Sequence, residues 1–272
     1  MKIDIPDNIN LKIPGRYILT IYVHPEEFSF SFHCPKDPSS YFFYKIESTE
    51  HTDAFSAFKD LFFENEIFTY SFQKTCVLVF SPLFTFIPNK IYSNENKEDF
   101  INFIFSEKEE KFLDYSVSSL KMKVLYPFSK EVHDFFIRSF NKPEFIHYSA
   151  PIITYFYSTK KKQKNRRMII NVHEKGIDIF CFSKKSLLHG NHFLCEKLED
   201  AVYYILYTWK QLKMNQFTDS LFVTGEYNQN DELIKNLGLY IKYVHTEPIP
   251  AKHQFKKMDI KDIPYELAIF SL

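Results

Sequence analysis

A run of basic side chains is the densest charge in the sequence and the first feature that could bind a ligand. Six of eight consecutive residues are basic, namely Lys160, Lys161, Lys162, Lys164, Arg166 and Arg167. Such a run can contact a phosphate backbone or another anionic partner. It is also typical of a solvated linker at the C-terminal end of a helix. No RNA- or DNA-binding motif accompanies it, so we favour the linker and keep an anionic-partner surface as the alternative.

The second half also contains four side chains of the types that bind zinc: Cys181, His189, His192 and Cys195. Structural zinc sites usually pair their ligands closely, as in CxxC, and the sequence has no such pair. Strand alternation would also place these four side chains on both faces of a sheet. We therefore expect core or surface residues here and no metal site. The sequence has no GxSxG turn to position a nucleophile, so we expect no catalytic residues either.

Composition limits the class of protein. The 272 residues include 34 Lys+Arg and 34 Asp+Glu, so no global field attracts nucleic acid or an anionic membrane. Aromatic residues make up 18%, which excludes a disordered chain. Only 5 glycines occur where average usage gives about 19, which argues against glycine-rich phosphate loops.

The sequence also indicates the compartment. No apolar run approaches the ~20 residues that span a bilayer. The cysteines are widely spaced, which favours reduced thiols in a cytoplasmic protein.

Hydrophobic periodicity predicts a mixed α/β fold in which one order of elements occurs twice. In the first half, strands are predicted at 16–23, 28–32, 41–46 and 75–80, with a helix from residue 53 before the last strand. In the second half, strands at 168–172, 177–181, 186–193 and 221–223 again have a helix before the last. The pair Val23-His24 also aligns with Val172-His173 without a gap. This order indicates an internal duplication.

The first half is longer than the second because of an extra segment at about residues 82–120. We interpret it as a small inserted subdomain with a helix near 95–105 and a polar, acidic stretch at 107–114. A strand at 121–126 and a helix from residue 129 then return to the first unit. The predicted units are residues 1–163 and residues 164–272.

Several segments carry a resemblance to a known family. They are residues 19–23 with 28–32, 84–88, 186–193, 199–212 and 221–225. In these segments the chain resembles a Bacteroidetes family of unknown function that has the actin-like ATPase fold. It resembles more distantly the actin homologues of cell division and type IV pilus assembly. The resemblance implies two ribonuclease-H-like units with a small subdomain inserted in the first.

The resemblance also indicates where a nucleotide would bind. Working members of this fold hold ATP between the units on two Asp-x-Gly-x-x-Thr turns and a glycine-rich nucleoside turn. The corresponding positions here are His24, Glu26, Asn171, His173 and Gly225. The first turn has a proline and two glutamates but no glycine, and in the second Asn171 stands near the acid and His173 near the first glycine. The resemblance therefore implies a retained fold with a lost ATPase site.

From these observations we expect a non-catalytic interaction protein whose partner is another protein and which needs no cofactor. We also expect no binding of ATP–Mg²⁺ between the units. Two alternatives stay open: an ATPase with unusual phosphate loops, and a nucleic-acid-associated factor that uses residues 160–167.

Overall fold

The computed structural model describes residues 3–46, 53–106, 110–159, 165–184, 186–225, 227–250 and 263–271. The strands in chain order are β1 (Ile18–Val23), β2 (Phe28–Cys34), β3 (Asp37–Ile46), β4 (Lys74–Val79), β5 (Thr85–Pro88), β6 (Lys111–Val117), β7 (Met122–Phe128), β8 (Glu144–His147), β9 (Arg167–His173), β10 (Gly176–Ser183), β11 (Ser186–Leu194), β12 (Ser220–Gly225) and β13 (Tyr243–Thr246). The helices are α1 (Ala54–Glu64), α2 (Lys97–Ile104), α3 (Lys130–Ser139), α4 (Ser149–Thr159), α5 (Leu198–Gln211), α6 (Tyr227–Gly238) and α7 (Tyr265–Phe270).

Two five-stranded sheets share one topology. Their strand orders are β3-β2-β1-β4-β8 and β11-β10-β9-β12-β13. In each sheet the first three strands of the unit are antiparallel neighbours, and the two later strands join in parallel beside the first. The order strand–strand–strand–helix–strand thus occurs in both halves. The central strand β1 is covered on both faces, as its doubly apolar alternation predicts.

A third sheet, of order β5-β7-β6, forms the small subdomain of the first half. The strand predicted at 121–126 belongs to this sheet and pairs with both of its other strands. The small sheet therefore extends to Phe128, beyond the limit at residue 120 that the sequence suggested. Part of the polar, acidic stretch at 107–114 belongs to strand β6, whose side chains are mostly half-buried against β7.

Two helices that the periodicity did not reveal, α4 and α7, pack against each other in the largest core. Helix α4 is apolar on most sides, and α7 has five buried residues among its six, so neither shows an amphipathic stripe. Ile263, Leu267 and Ile269 join the core of the first sheet, although they lie at the end of the chain. The last helix thus returns to the first unit.

The second sheet is covered on both faces. One face carries Met168, Ile170 and Ile179 into a core with helices α5 and α6. The other face carries Ile169 and Phe180 into the large core that contains α4 and α7. Because strand residues alternate, the polar side chains at 171, 173 and 178 belong to this second face, which looks toward the first unit.

The helices of the described residues include none that is long and apolar enough to cross a membrane. The four cysteines are free thiols, and three of them are buried.

Candidate functional site

A cleft of about 460 Å³ opens between the two units. The hairpin turn after β1 forms one wall, and the hairpin turn after β9 forms the opposite wall. Phe80 after β4, Gly225 at the end of β12 and the start of α7 also contribute to the lining. A cavity of this size suits a small ligand.

The first turn, residues 24–27, uses its backbone donors internally. The His24 N–H donates to the Glu27 carbonyl at 3.0 Å, and the Glu27 N–H donates back to the His24 carbonyl at 3.3 Å. The Glu26 N–H points at Nδ1 of His24 at 3.2 Å, and Pro25 has no N–H. Every backbone donor of these four residues is therefore engaged or missing. Burial lowers the pKa of His24 to about 4, so the imidazole is uncharged at neutral pH.

An ion pair joins the two turns across the mouth of the cleft. Lys175 of the second turn donates to the carboxylate of Glu26, and this hydrogen bond lowers the pKa of Glu26. On the same side, Lys45 from β3 pairs with Glu27. Both lysines of the cleft lining are thus already opposite a glutamate. Lys175 and Glu26 are 68% and 52% exposed, so the free energy of this pair is small.

A row of polar side chains crosses the second sheet beneath the cleft. The strand registers place Thr224, Asn171, Asp178 and His192 side by side on β12, β9, β10 and β11. His173 lies two residues after Asn171 and therefore shares its face. The Asn171 amide Nδ2 lies 3.3 Å from Asp178 Oδ2, and its Oδ1 lies 3.1 Å from Thr224 Oγ1.

Asp178 is the centre of this row and is completely buried. Its carboxylate accepts a hydrogen bond from the Tyr148 hydroxyl at 2.6 Å, and Nε2 of His173 and Nδ1 of His192 lie 2.6 and 2.9 Å from its oxygens. Burial alone would raise the pKa of Asp178, but the two imidazoles outweigh it and hold the pKa well below its ordinary value. The side chain is therefore a buried carboxylate anion at neutral pH.

A second buried carboxylate belongs to Glu266 at the start of α7. It accepts a hydrogen bond from the Tyr22 hydroxyl at 2.6 Å, and Asn171 Nδ2 lies 3.5 Å from its other oxygen. Burial, together with the charge of Glu266, raises the pKa of Tyr22 well above its ordinary value, so this hydroxyl stays a donor. Across the described residues, no lysine or arginine forms an ion pair with Asp178 or Glu266.

Phe80 packs between these groups. Its ring centroid lies 4.5 Å from that of His24 and 4.5 Å from that of Tyr148. It lies 5.2 Å from His173 and 5.7 Å from His192, both in edge-on geometry. The ring therefore covers the histidines from the side of the first unit.

Gly225 is the last residue of β12 and follows Thr224, the residue of the polar row on that strand. Its φ of +89° lies in the left-handed region that favours glycine, and an added Cβ would be 2.2 Å from the Val172 carbonyl oxygen. The close approach of β12 to β9 therefore explains this glycine without a ligand.

Comparison with known proteins now assigns the chain to a family. The family model described as "Protein of unknown function (DUF3822)" matches residues 6–244. The chain belongs to this family. No curated protein sequence matches it.

The solved structures that are similar to the DUF3822 chain include the following two. One is a Bacteroides thetaiotaomicron VPI-5482 protein with an actin-like ATPase fold and unknown function, which is 26% identical with a TM-score of 0.79, over 88% of this chain and 93% of that one. The other is from the PilM–PilN type IV pilus biogenesis complex, which is 7% identical with a TM-score of 0.58, over 94% and 97%. These similarities confirm the predicted mixed α/β class and the actin-like ATPase fold.

The structure places the five nucleotide-loop positions of the DUF3822 chain around one cleft. His24, Glu26, His173 and Gly225 line it, and Asn171 lies buried directly behind the lining. Their interpretation as remnants of phosphate loops stays a prediction.

The basic run does not form one continuous exposed patch. Lys160, Lys161, Lys162 and Lys164 lie outside the described residues. Arg167 is fully buried on β9 with its guanidinium 5.1 Å from the Phe182 ring centroid, so its place in an exposed patch was wrong. The Arg166 guanidinium donates to the Leu212 carbonyl, and the backbone N–H of Arg166 donates to Asp219 Oδ1 at 3.0 Å. Arg167 is held in the second unit because β9 begins at this residue, one position earlier than predicted, and Arg166 is held by its hydrogen bonds to Leu212 and Asp219.

Sequence reasoning also missed the partners of His192 in the DUF3822 chain. It considered His192 with Cys181, His189 and Cys195, but the partners that contact it are Asp178 and, through that carboxylate, His173. Cys181 points into the opposite core, as the alternation predicts. The sequence does not show the register between β10 and β11, and this register pairs Asp178 with His192.

Proposed function

We propose that this protein is a non-catalytic binding protein that uses an actin-like fold as a scaffold and does not hold ATP–Mg²⁺ in its cleft. The observation that carries the proposal is the first turn, in which the backbone N–H groups of residues 24, 26 and 27 are engaged within the turn. A phosphate site needs such donors to be free and convergent.

The charge of the cleft supports the same proposal. Its lining has four glutamates, at 26, 27, 174 and 266, against the two lysines at 45 and 175. Asp178 adds a further anion behind the histidines. ATP carries several negative charges, and these carboxylates would repel it at the place where the fold's phosphate loops meet.

A protein is the partner that we propose for the scaffold. PilM of the type IV pilus system shares this fold and forms a complex with PilN. The PilM match supports the use of this fold for a protein–protein contact, and it does not identify the partner. Affinity purification of the tagged chain from its native host, with and without added ATP, should recover a stoichiometric protein whose retention does not depend on nucleotide.

Thermal unfolding in millimolar ATP and Mg²⁺ tests the nucleotide part directly. A ligand at about 100 times its Kd stabilises the folded state by ~2.7 kcal/mol. At roughly 2–4 °C per kcal/mol, this corresponds to a Tm rise of about 5–10 °C. We expect no rise beyond that produced by Mg²⁺ alone, and no phosphate release above the blank.

A matched pair of variants tests whether any rise in Tm comes from ATP bound in the cleft. Lys175→Ala removes a lysine from the cleft, and Lys36→Ala removes an exposed lysine outside it. A Mg²⁺-dependent rise of several degrees that Lys175→Ala abolishes and Lys36→Ala retains would overturn the proposal. Such a result would support the alternative of an ATPase with unusual phosphate loops.

A further inference from the structure

We propose that His173, Asp178 and His192 form a site for a divalent transition metal of the zinc class, on the wall of the cleft that the second unit provides. The site is independent of the proposed function because it requires neither a nucleotide nor a partner protein. The three donor atoms, two imidazole nitrogens and a carboxylate oxygen, all lie within 4.8 Å of one another. A zinc ion lies about 2 Å from each of its ligand atoms, so small side-chain rotations complete the coordination.

Nε2 of His173 is aimed at the buried carboxylate. It lies 2.6 Å from Asp178 Oδ2. The amide nitrogen of Asn171 lies 3.3 Å from Asp178 Oδ2 and 3.5 Å from Glu266 Oε2, so these two oxygens can accept its hydrogens. The position between Nε2 and Asp178 therefore holds either a proton or a metal ion, and a metal ion there would use the lone pairs of both groups.

The acids near the site favour a cation over an anion as its ligand. Asp178 and Glu266 lie on either side of Asn171, and in the described part of the chain no lysine or arginine pairs with either. The bases that contact Asp178 are the two imidazoles, so a divalent ion bound to them would lie directly against this side chain.

The surroundings hold the ligands in position. The Tyr148 hydroxyl and the Asn171 amide bind the carboxylate of Asp178 from outside, as the second shell of a metal ligand does. Gly176 makes room for His192, because a Cβ there would be 2.7 Å from the imidazole Nε2. All three ligands lie on strands β9, β10 and β11, so their separation is fixed by the sheet register.

One coordination position faces the cleft. His173 and His192 both line the cleft, with side chains 15% and 4% exposed, and Asp178 lies fully buried behind them. Three protein ligands with an open fourth position are the arrangement of zinc sites that bind water or a small anion. Two imidazoles and one carboxylate favour Zn²⁺, Co²⁺ or Ni²⁺ over Mg²⁺, which prefers oxygen ligands.

The test is metal binding to protein freed of metal by chelation. Zn²⁺ titration against a chromophoric chelator should show one site per chain, and Co²⁺ should give the visible absorption of a low-coordinate nitrogen and oxygen site. His173→Ala and His192→Ala should each weaken Zn²⁺ binding by at least ~10-fold. Tyr148→Phe, which removes an outer hydrogen bond, should weaken it by roughly 10-fold with all three ligands in place.

His24→Ala is the matched control, since His24 lies in the same cleft and contacts Phe80 but is not a ligand. It should leave both the affinity and the Co²⁺ spectrum unchanged. Circular dichroism identifies any variant that does not fold, and His173→Gln replaces His173→Ala in that case. The proposal is overturned if metal-free wild-type protein takes up no Zn²⁺ or Co²⁺. It is equally overturned if binding survives in both histidine variants, or if equimolar Mg²⁺ displaces the metal.

Discussion

At the scale of single residues, the first unit contains a histidine that the fold keeps uncharged. His147 is completely buried at the end of β8, where its Nε2 lies 3.0 Å from the Ser81 carbonyl and its Nδ1 lies 2.7 Å from the Ser149 hydroxyl. A carbonyl oxygen only accepts, so Nε2 carries the proton and Nδ1 accepts from the serine. Burial lowers the pKa of His147 to about 3, because a second proton would create an unpaired charge in the core.

This lowered pKa predicts a loss of stability in acid. Between its ordinary value near 6.5 and about 3, the unfolded chain binds a proton at His147 and the folded chain does not. The free energy of unfolding therefore falls as the pH drops below about 6.5, by up to ~1.4 kcal/mol per pH unit from this residue. In urea unfolding from pH 7.5 to 4.5, His147→Gln should show a shallower decline than the wild type. The exposed His245→Gln is the control, and an unchanged slope in His147→Gln would contradict the prediction.

At the scale of elements, the sequence predicted those strands and helices whose residues alternate or recur with a regular period. The alternation of residues 28–32 predicted β2, although the structure buries both of its faces, and the 3-and-4 spacing along α5 predicted that helix. Helices α4 and α7 were not predicted because burial on most sides removes the periodic signal. Strand β8 was not predicted because its four residues are too few to show a period. The same limit applies to the candidate site. Asp178 appeared as the polar position of an alternating strand, and only the register with β9 and β11 brings it to Asn171 and His192.

Helix α7 should contribute strongly to stability despite its six residues. Leu267 is fully buried in the core that α7 shares with α4. Leu267→Ala should lower the free energy of unfolding by about 2–5 kcal/mol, through lost burial and the cavity that remains. Leu239, which is 78% exposed, is the matched control, and Leu239→Ala should change the value by less than about 0.5 kcal/mol. Equal effects of the two substitutions in urea unfolding would mean that α7 does not pack as described.

At the scale of the whole molecule, the two units share buried surface that neither could cover alone. The face of the second sheet that carries Ile169 and Phe180 belongs to the same core as α4 and α7. The Tyr148 hydroxyl reaches from the first unit to Asp178 in the second, and Glu266 near the chain end binds Tyr22 on β1. Separation of the units would expose this apolar face and leave buried carboxylates without their donors. The cleft therefore has walls of fixed spacing, which a binding site of three strand-borne ligands requires.

This shared core predicts that the two units unfold together. Trp209 is the single tryptophan of the chain and is buried on α5 in the core of the second unit, so its fluorescence follows that unit alone. Far-UV circular dichroism follows the helices and strands of both units. We expect the two signals to give coincident urea transitions, because loss of either unit uncovers the core of the other.

In Tyr148→Phe both transitions should move to lower urea concentrations together, since the substitution removes a hydrogen bond between the units at a cost of about 1–3 kcal/mol. Separate midpoints in the wild type would show that the units unfold independently and that the shared core contributes little to stability.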